Sequence, residues 1–265
     1  MLIFIWDFTS DCLYMLLVIS FYRFVLWAGT LLGSYMYHDV IPWDDDFDLM
    51  VDYRDYPKLK RTFQNNLFWS KYNIHGFWDP TNEYAFHLLN QTFPDVEYAK
   101  DTKNKTKKKK IERYHAVKIF SVDQKSAGNY PWKFPFIDIF FFRQNLTHIW
   151  QLNTGTQRMK WFTPITEFYP FHLRPCVGMW LPVPHKTTRH LENRYHVFKC
   201  QSHTWNHEKE ENIKPQYRVS VPCENLQTVY VNIKRQKFAN GTLESVFLSK
   251  NLVYSVFIEE NFETW

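Results

Sequence analysis

The chain has 265 residues, of which 45% are hydrophobic and 19% aromatic, with only 7 glycines. That length supports a hydrophobic core without staples, and the apolar content excludes a chain disordered throughout. The scarcity of glycine excludes collagen-like and low-complexity classes, while a net charge of +5 points superficially to an anionic partner.

In chain order, a helix is expected from Thr9 to Tyr22, then a strand at Phe24–Trp27 and a turn at Ala28-Gly29-Thr30. The stretch from Cys12 to Leu32 carries only Arg23 as a charge and is long enough to span a bilayer. It runs directly into a polar motif, so it reads as core helix followed by core strand. Phe47–Val51 is a short strand. Tyr56–Ser70 places Leu59, Phe63 and Leu67 on one helical face. Aromatic β-structure fills 71–99, and strands follow at Ala116–Val122 and Phe136–Phe142. Ile165–Pro184 reads as Pro-rich wrapping and His185–Val197 as helix. From about residue 212 short β-like segments take over: Val219–Val221, Thr228–Ile233, Val246–Leu248 and Leu252–Ile258, with a turn signal at Asn240-Gly241.

Cys12, Cys176, Cys200 and Cys223 form no CxxC pair, so a zinc ribbon is not expected; one or two disulfides among the last three remain open. Glycosylation sequons at Asn90, Asn104, Asn145 and Asn240 tilt the chain toward the secretory pathway. No basic n-region marks a signal peptide, so a membrane anchor is expected to lie outside this chain. The six lysines of 103–110 by themselves exceed the net charge. The basic balance is thus one exposed loop, and a nucleic-acid partner is not expected.

Three segments carry chemistry: Gly29-Thr30-Leu31-Leu32-Gly33-Ser34, then Asp44-Asp45-Asp46-Phe47-Asp48, then Asp138 between Ile137 and Ile139. Residues i and i+2 of a strand share a face, so Asp46 and Asp48 project together. Adjacent carboxylates repel unless a cation lies between them, and Mg²⁺ or Mn²⁺ suits oxygen ligands. Asp138 in an apolar strand is costly unless it joins the same cation. Gly29 and Thr30, and more strongly Gly33 and Ser34, are expected to hold phosphate at a Gly-Ser turn. Lys118 either reaches a phosphate from its strand or faces solvent as an alternate residue. Asp44 and Asp45 suit a turn as well as a ligand role. His203 and His207 have metal-ligand spacing on a helix, but no Glu-x-x-His pattern accompanies them, so they read as surface or structural histidines. The residues alone support metal-assisted phosphoryl or nucleotidyl transfer.

The order Gly29–Ser34, then His38-Asp39-Val40-Ile41-Pro42-Trp43-Asp44-Asp45-Asp46-Phe47-Asp48, then a lone Asp138, resembles the LicD family of the polymerase-β-like nucleotidyltransferase superfamily. The resemblance runs from about Thr9 to Glu210 and leaves 212–265 unmatched. It implies an α+β fold, a nucleotidyltransferase mixed sheet flanked by helices over 1–211, to which the β-like segments past residue 212 add a β-rich C-terminal extension over 212–265. It further implies a transferase that moves a phosphocholine- or ribitol phosphate-type group from a CDP-linked donor to a glycan or glycoprotein hydroxyl, releasing CMP, in the Golgi or ER lumen. Asp46, Asp48 and Asp138 would then be both catalytic residues and metal ligands. The rival of another class is a non-catalytic lumenal protein that keeps this fold to bind a glycan or a partner transferase.

Overall fold

A computed structural model describes residues 23–64, 76–78, 117–130, 132–152, 162–197 and 199–259. The helix expected at Thr9–Tyr22, the lysine loop 103–110, most of 71–99 and the sequons at Asn90 and Asn104 lie outside the described residues.

The chain is α+β, with a mixed sheet, few helices and a β-rich C-terminal region. Strand β1 (Phe24–Leu26) leads into helix α1 (Ala28–Tyr37), and β2 (Phe47–Asp52) returns antiparallel to β1. Helix α2 is Tyr56–Gln64; β3 (Gly76–Trp78), β4 (Val117–Ser126) and β5 (Lys133–Gln144) complete the path β1-β2-β5-β4-β3. Strands β6 (His148–Gln151) and β7 (Phe162–Pro164) extend it from β5. The β2–β5 pair is the only parallel one among the described strands.

All six residues of β2 are buried, so the sheet is covered on both faces. Strand alternation sorts the core accordingly. Phe47, Leu49 and Val51 pack with Leu31, Ile137, Ile139 and Phe141. Val25, Trp27, Met50 and Phe142 pack on the other side with Phe168.

The segment expected as wrapping holds a short helix, α3 (Ile165–Phe168), and a hairpin of β8 (His172–Cys176) and β9 (Met179–Val183). The helix expected over His185–Val197 contracts to α4 (Thr187–Glu192). Small two-stranded pairs follow, β10 (Lys199–Gln201) with β13 (Ser220–Pro222) and β11 (Trp205–Asn206) with β12 (Glu211–Asn212). A Cys200–Cys223 disulfide ties the first pair, and Cys176 is buried outside it.

The C-terminal region is a meander of β14 (Asn232–Phe238), β15 (Gly241–Leu248) and β16 (Asn251–Glu259). The strand expected at Thr228–Ile233 thus begins later, because residues up to 230 form turns closed by Val229 and Tyr230 N–H groups on the Leu226 carbonyl. The Asn240-Gly241 signal does mark the β14–β15 turn, with Phe238 opposite Gly241. This sheet docks on the C-terminal end of α1: His38 Nε2 lies 2.6 Å from Glu244 Oε2, and Arg174 and Arg235 bond the same carboxylate at 2.6 and 2.7 Å. Among the described residues no helix is long and apolar enough to cross a membrane.

Candidate metal centre

Parallel pairing places Asp48 of β2 directly opposite Asp138 of β5, and antiparallel pairing places Lys118 of β4 opposite Asp138 from the other side. Three charged side chains therefore stand in a row across adjacent strands. Asp46, two residues before Asp48, joins them: Asp46, Asp48 and Asp138 each offer an oxygen within 4.8 Å of the others, and all three are buried. Lys118 Nζ donates to Asp138 Oδ1 at 2.7 Å and lies 3.6 Å from the centroid of the Phe136 ring. Lys118 is buried, because the sheet is covered on the face where an alternate residue would otherwise meet solvent.

The expected turn at Ala28-Gly29-Thr30 is instead the first turn of α1. Trp27, in extended conformation, supplies no side-chain cap. Asp48 does this work from β2: its Oδ2 accepts the Gly29 N–H at 3.1 Å. The Asp48 N–H donates to Thr30 Oγ1 at 2.7 Å, and the Trp27 N–H to the Asp48 carbonyl at 3.1 Å. The positive end of the helix dipole thereby sits beside the carboxylates. A Cβ on Gly29 would come within 2.5 Å of Asp44 Oδ2, so this glycine admits a carboxylate against the backbone.

Gly33 and Ser34 are placed differently from the expected phosphate turn. Both lie inside α1. A Cβ on Gly33 would meet the Asp39 carbonyl oxygen at 2.5 Å, and the fully buried Ser34 donates its hydroxyl to the Pro175 carbonyl at 2.9 Å. In this structure both residues seat the helix against 39–41 and β8, because the tight approach needs a missing side chain and a satisfied hydroxyl.

The electrostatics are those of like charges held together. Burial first, then repulsion from Asp46, Asp138 and Asp44, pushes the Asp48 carboxyl well above the usual carboxylate range. Asp44 is raised well above it by burial and by Asp46. Asp138 is also raised by burial, with Lys118 pulling in the opposite direction. The Tyr195 phenol is raised by burial and then by the Asp48 charge, which places a hydroxyl in the field of the cluster.

His203 and His207 are where the sequence reading needs correction. They are not on a helix; they flank β11, and both turn toward the aspartates. His207 Nε2 lies 3.3 Å from Asp46 Oδ2, and His203 Nδ1 lies 3.4 Å from Asp44 Oδ1. Their four-residue spacing was the available signal, but the helix assumed for it was wrong. Asp44, with a side chain 9% exposed, is likewise more than a solvated turn residue.

The oxygen-only set of Asp46, Asp48 and Asp138 has the chemistry of a site for a hard divalent cation. No curated protein matches the chain. Residues 22–106 match the family model described as LicD/FKTN/FKRP, nucleotidyltransferase domain. That span takes in β1, α1, β2 and the whole Asp44–Asp48 cluster, so this segment is similar to the LicD nucleotidyltransferase domain.

Proposed function

We propose that this chain is a metal-dependent transferase of nucleotidyltransferase fold, moving a phospho-alcohol group of the phosphocholine or ribitol phosphate type from a CDP-linked donor to a glycan hydroxyl. The LicD match over residues 22–106 implies a transferase with phosphotransferase-type chemistry on glycans, and the CDP donor, the released CMP and the metal are the finer reading. The observation that carries it is the in-register row Lys118, Asp138, Asp48 with Asp46 beside it.

In this reading Asp46, Asp48 and Asp138 hold Mg²⁺ or Mn²⁺. The cation supplies neutralisation of diphosphate charge and alignment for in-line displacement. The glycan oxygen bonds to the phosphorus carrying the alcohol, the bond from that phosphorus to the CMP oxygen breaks, and the hydroxyl proton passes to a carboxylate of the cluster. Asp138 would either complete the cation's shell or accept that proton, with Lys118 fixing its orientation through the 2.7 Å hydrogen bond. The Lys118 ammonium also offers positive charge to a phosphate oxygen. Gly29 keeps the helix N-terminus open to the carboxylates, and Thr30 sets the Asp48 backbone.

Residues 1–211 form the catalytic unit in this proposal, with 212–265 a β-rich extension that braces the far end of α1. The compartment is the lumen of the secretory pathway, Golgi or ER. The Cys200–Cys223 disulfide supports it, as do the sequon asparagines Asn145 and Asn240, both exposed at turns. The deciding experiment offers the protein CDP-choline, CDP-ribitol and related donors with Mg²⁺ and a glycan acceptor. Acceptor-dependent CMP release from one donor is expected; no CMP from any donor would reject the reading.

A further inference from the structure

The turn joining β5 to β6 holds the sequon Asn145-Leu146-Thr147, and all three residues are exposed. Asn145 Oδ1 accepts three hydrogen bonds: from the Thr147 N–H at 2.9 Å, the Thr147 hydroxyl at 3.1 Å and the His148 N–H at 2.8 Å. The Asn145 N–H closes the turn on the His148 carbonyl at 3.0 Å. The side-chain nitrogen Nδ2 takes part in none of these bonds. A sugar on Nδ2 would replace one hydrogen and leave Oδ1 an acceptor. The turn thus holds Asn145 in one orientation and keeps its bonds when the asparagine is modified.

An aromatic stack begins beside that turn. The Thr147 hydroxyl gives its proton to Asn145, accepts from His148 Nδ1 at 2.9 Å, and so orients the imidazole. The Phe162 ring stacks on the His148 ring with centroids 4.3 Å apart and on the Trp150 ring at 6.2 Å, at 22° in each case. His148 and Trp150 are two apart on β6 and share a face, while Phe162 comes from β7 and is 50% exposed. Among the described residues β7 pairs with β6 alone, so it stands at the edge of the sheet. An open edge beside an exposed ring invites pairing with another chain unless something covers it.

We propose that Asn145 carries an N-linked glycan whose first N-acetylglucosamine lies over the His148–Phe162 stack and covers the β7 edge. The tether selects this occupant: Nδ2 belongs to the side chain whose Oδ1 holds the Thr147 hydroxyl that orients His148, so the first sugar starts beside the rings. The apolar face and acetamide methyl of that sugar offer C–H groups to the aromatic faces, and its hydroxyls stay in water. In the modification Nδ2 loses a proton and bonds to the anomeric carbon of the sugar. The bond from that carbon to the diphosphate of a lipid-linked oligosaccharide breaks, and the lipid diphosphate leaves with its electron pair. The proposal rests on the lumenal part of the proposed function and uses nothing in the carboxylate cluster.

The test expresses the full chain behind a cleavable secretion signal in a eukaryotic host and maps its glycopeptides by mass spectrometry. Asn145 is expected to be occupied. Trimming with an endoglycosidase to one N-acetylglucosamine should leave an acetamide methyl resonance shifted upfield by the rings. Asn145→Asp removes the sequon but keeps the acceptor of the turn; it should lose that resonance and self-associate more strongly than wild type. Phe162→Ala should keep the glycan and lose the upfield shift. A chain glycosylated at Asn240 but bare at Asn145 would overturn this site alone. An unshifted methyl, or a shift that survives Phe162→Ala, would overturn the stacking, and self-association of Asn145→Asp equal to wild type would overturn the covering of the edge. Occupancy in this host with no glycan on the protein from its own cells would overturn the lumenal reading instead, and CMP release decides the transferase reading separately.

Discussion

Helix α1 carries a buried carboxylate cluster at each end, and the two are built on opposite principles. At its C-terminal end Glu244 is 1% exposed and met by His38, Arg174 and Arg235, which together hold its pKa down at about 2 against the opposing effect of burial. At its N-terminal end Asp44, Asp46 and Asp48 crowd one another, and burial with mutual repulsion drives Asp44 and Asp48 upward. The helix dipole suits both arrangements, with carboxylates at its positive end and arginines at its negative one. A buried charge answered by two guanidinium groups and an imidazole hydrogen bond is architecture. The N-terminal cluster sets four aspartates, Asp138 included, against one lysine and two histidines, and that excess of carboxylates suits a centre for a cation.

The largest expected effect separates the two ends by activity. Asp46→Asn with Asp48→Asn should lower CMP release on the order of 10³-fold, since cation clamps supply several kcal/mol of transition-state stabilisation. Transfer surviving at wild-type rate would mean the centre lies elsewhere. Next comes stability. Glu244→Ala strands Arg174 in the interior and should cost about 3–5 kcal/mol in urea unfolding. Asp48→Asn in metal-free protein, by contrast, should hold or raise the unfolding midpoint, because it removes repulsion; a loss as large as that of Glu244→Ala would erase the distinction between the ends.

Acid titration sharpens the contrast through its sign. Glu244 has a depressed folded pKa, so its stabilisation is present above its ordinary 4.5 and lost as pH falls through about 2. Asp48 has a raised one, so its contribution is fully present below 3.8 and lost as pH rises through its folded value. Added Mg²⁺ should therefore raise the melting temperature more at neutral pH than in acid, and Glu244→Gln should blunt the acid loss alone. A Mg²⁺ shift independent of pH would contradict this account. The smallest effect is local: Thr30→Val removes the acceptor of the buried Asp48 N–H and should cost about 1–2 kcal/mol, read by chemical denaturation.

How much of the site was legible can be followed residue by residue. Asp46 and Asp48 were placed on one face by strand periodicity alone, and the structure keeps them together. Asp138 was recognised as anomalous because a charge among Ile137, Ile139 and phenylalanines needs a reason to be there. Lys118 was ambiguous, since alternation gives a face but not whether that face is covered. The Gly-Ser segment was misjudged as a turn. Gly29 and Gly33 are poor helix formers, and α1 exists because Asp48, Pro175 and the 39–41 backbone hold it. The histidines were set aside because no Glu-x-x-His pattern accompanies them, while the backbone around β11 brings them to the aspartates from loop positions.

The sequence by itself grouped the crowded carboxylates and an apolar strand aspartate into one candidate cation site, and it pointed to the LicD family. These are local properties: periodicity, charge density and a motif string. Tertiary structure decided the rest. It set the parallel register that puts Asp48 opposite Asp138, the coverage that buries Lys118, the docking of Glu244 on His38, and the approach of His207 to Asp46. Each of those joins residues from distant parts of the chain, and such contacts depend on which faces find a partner, which no local pattern specifies.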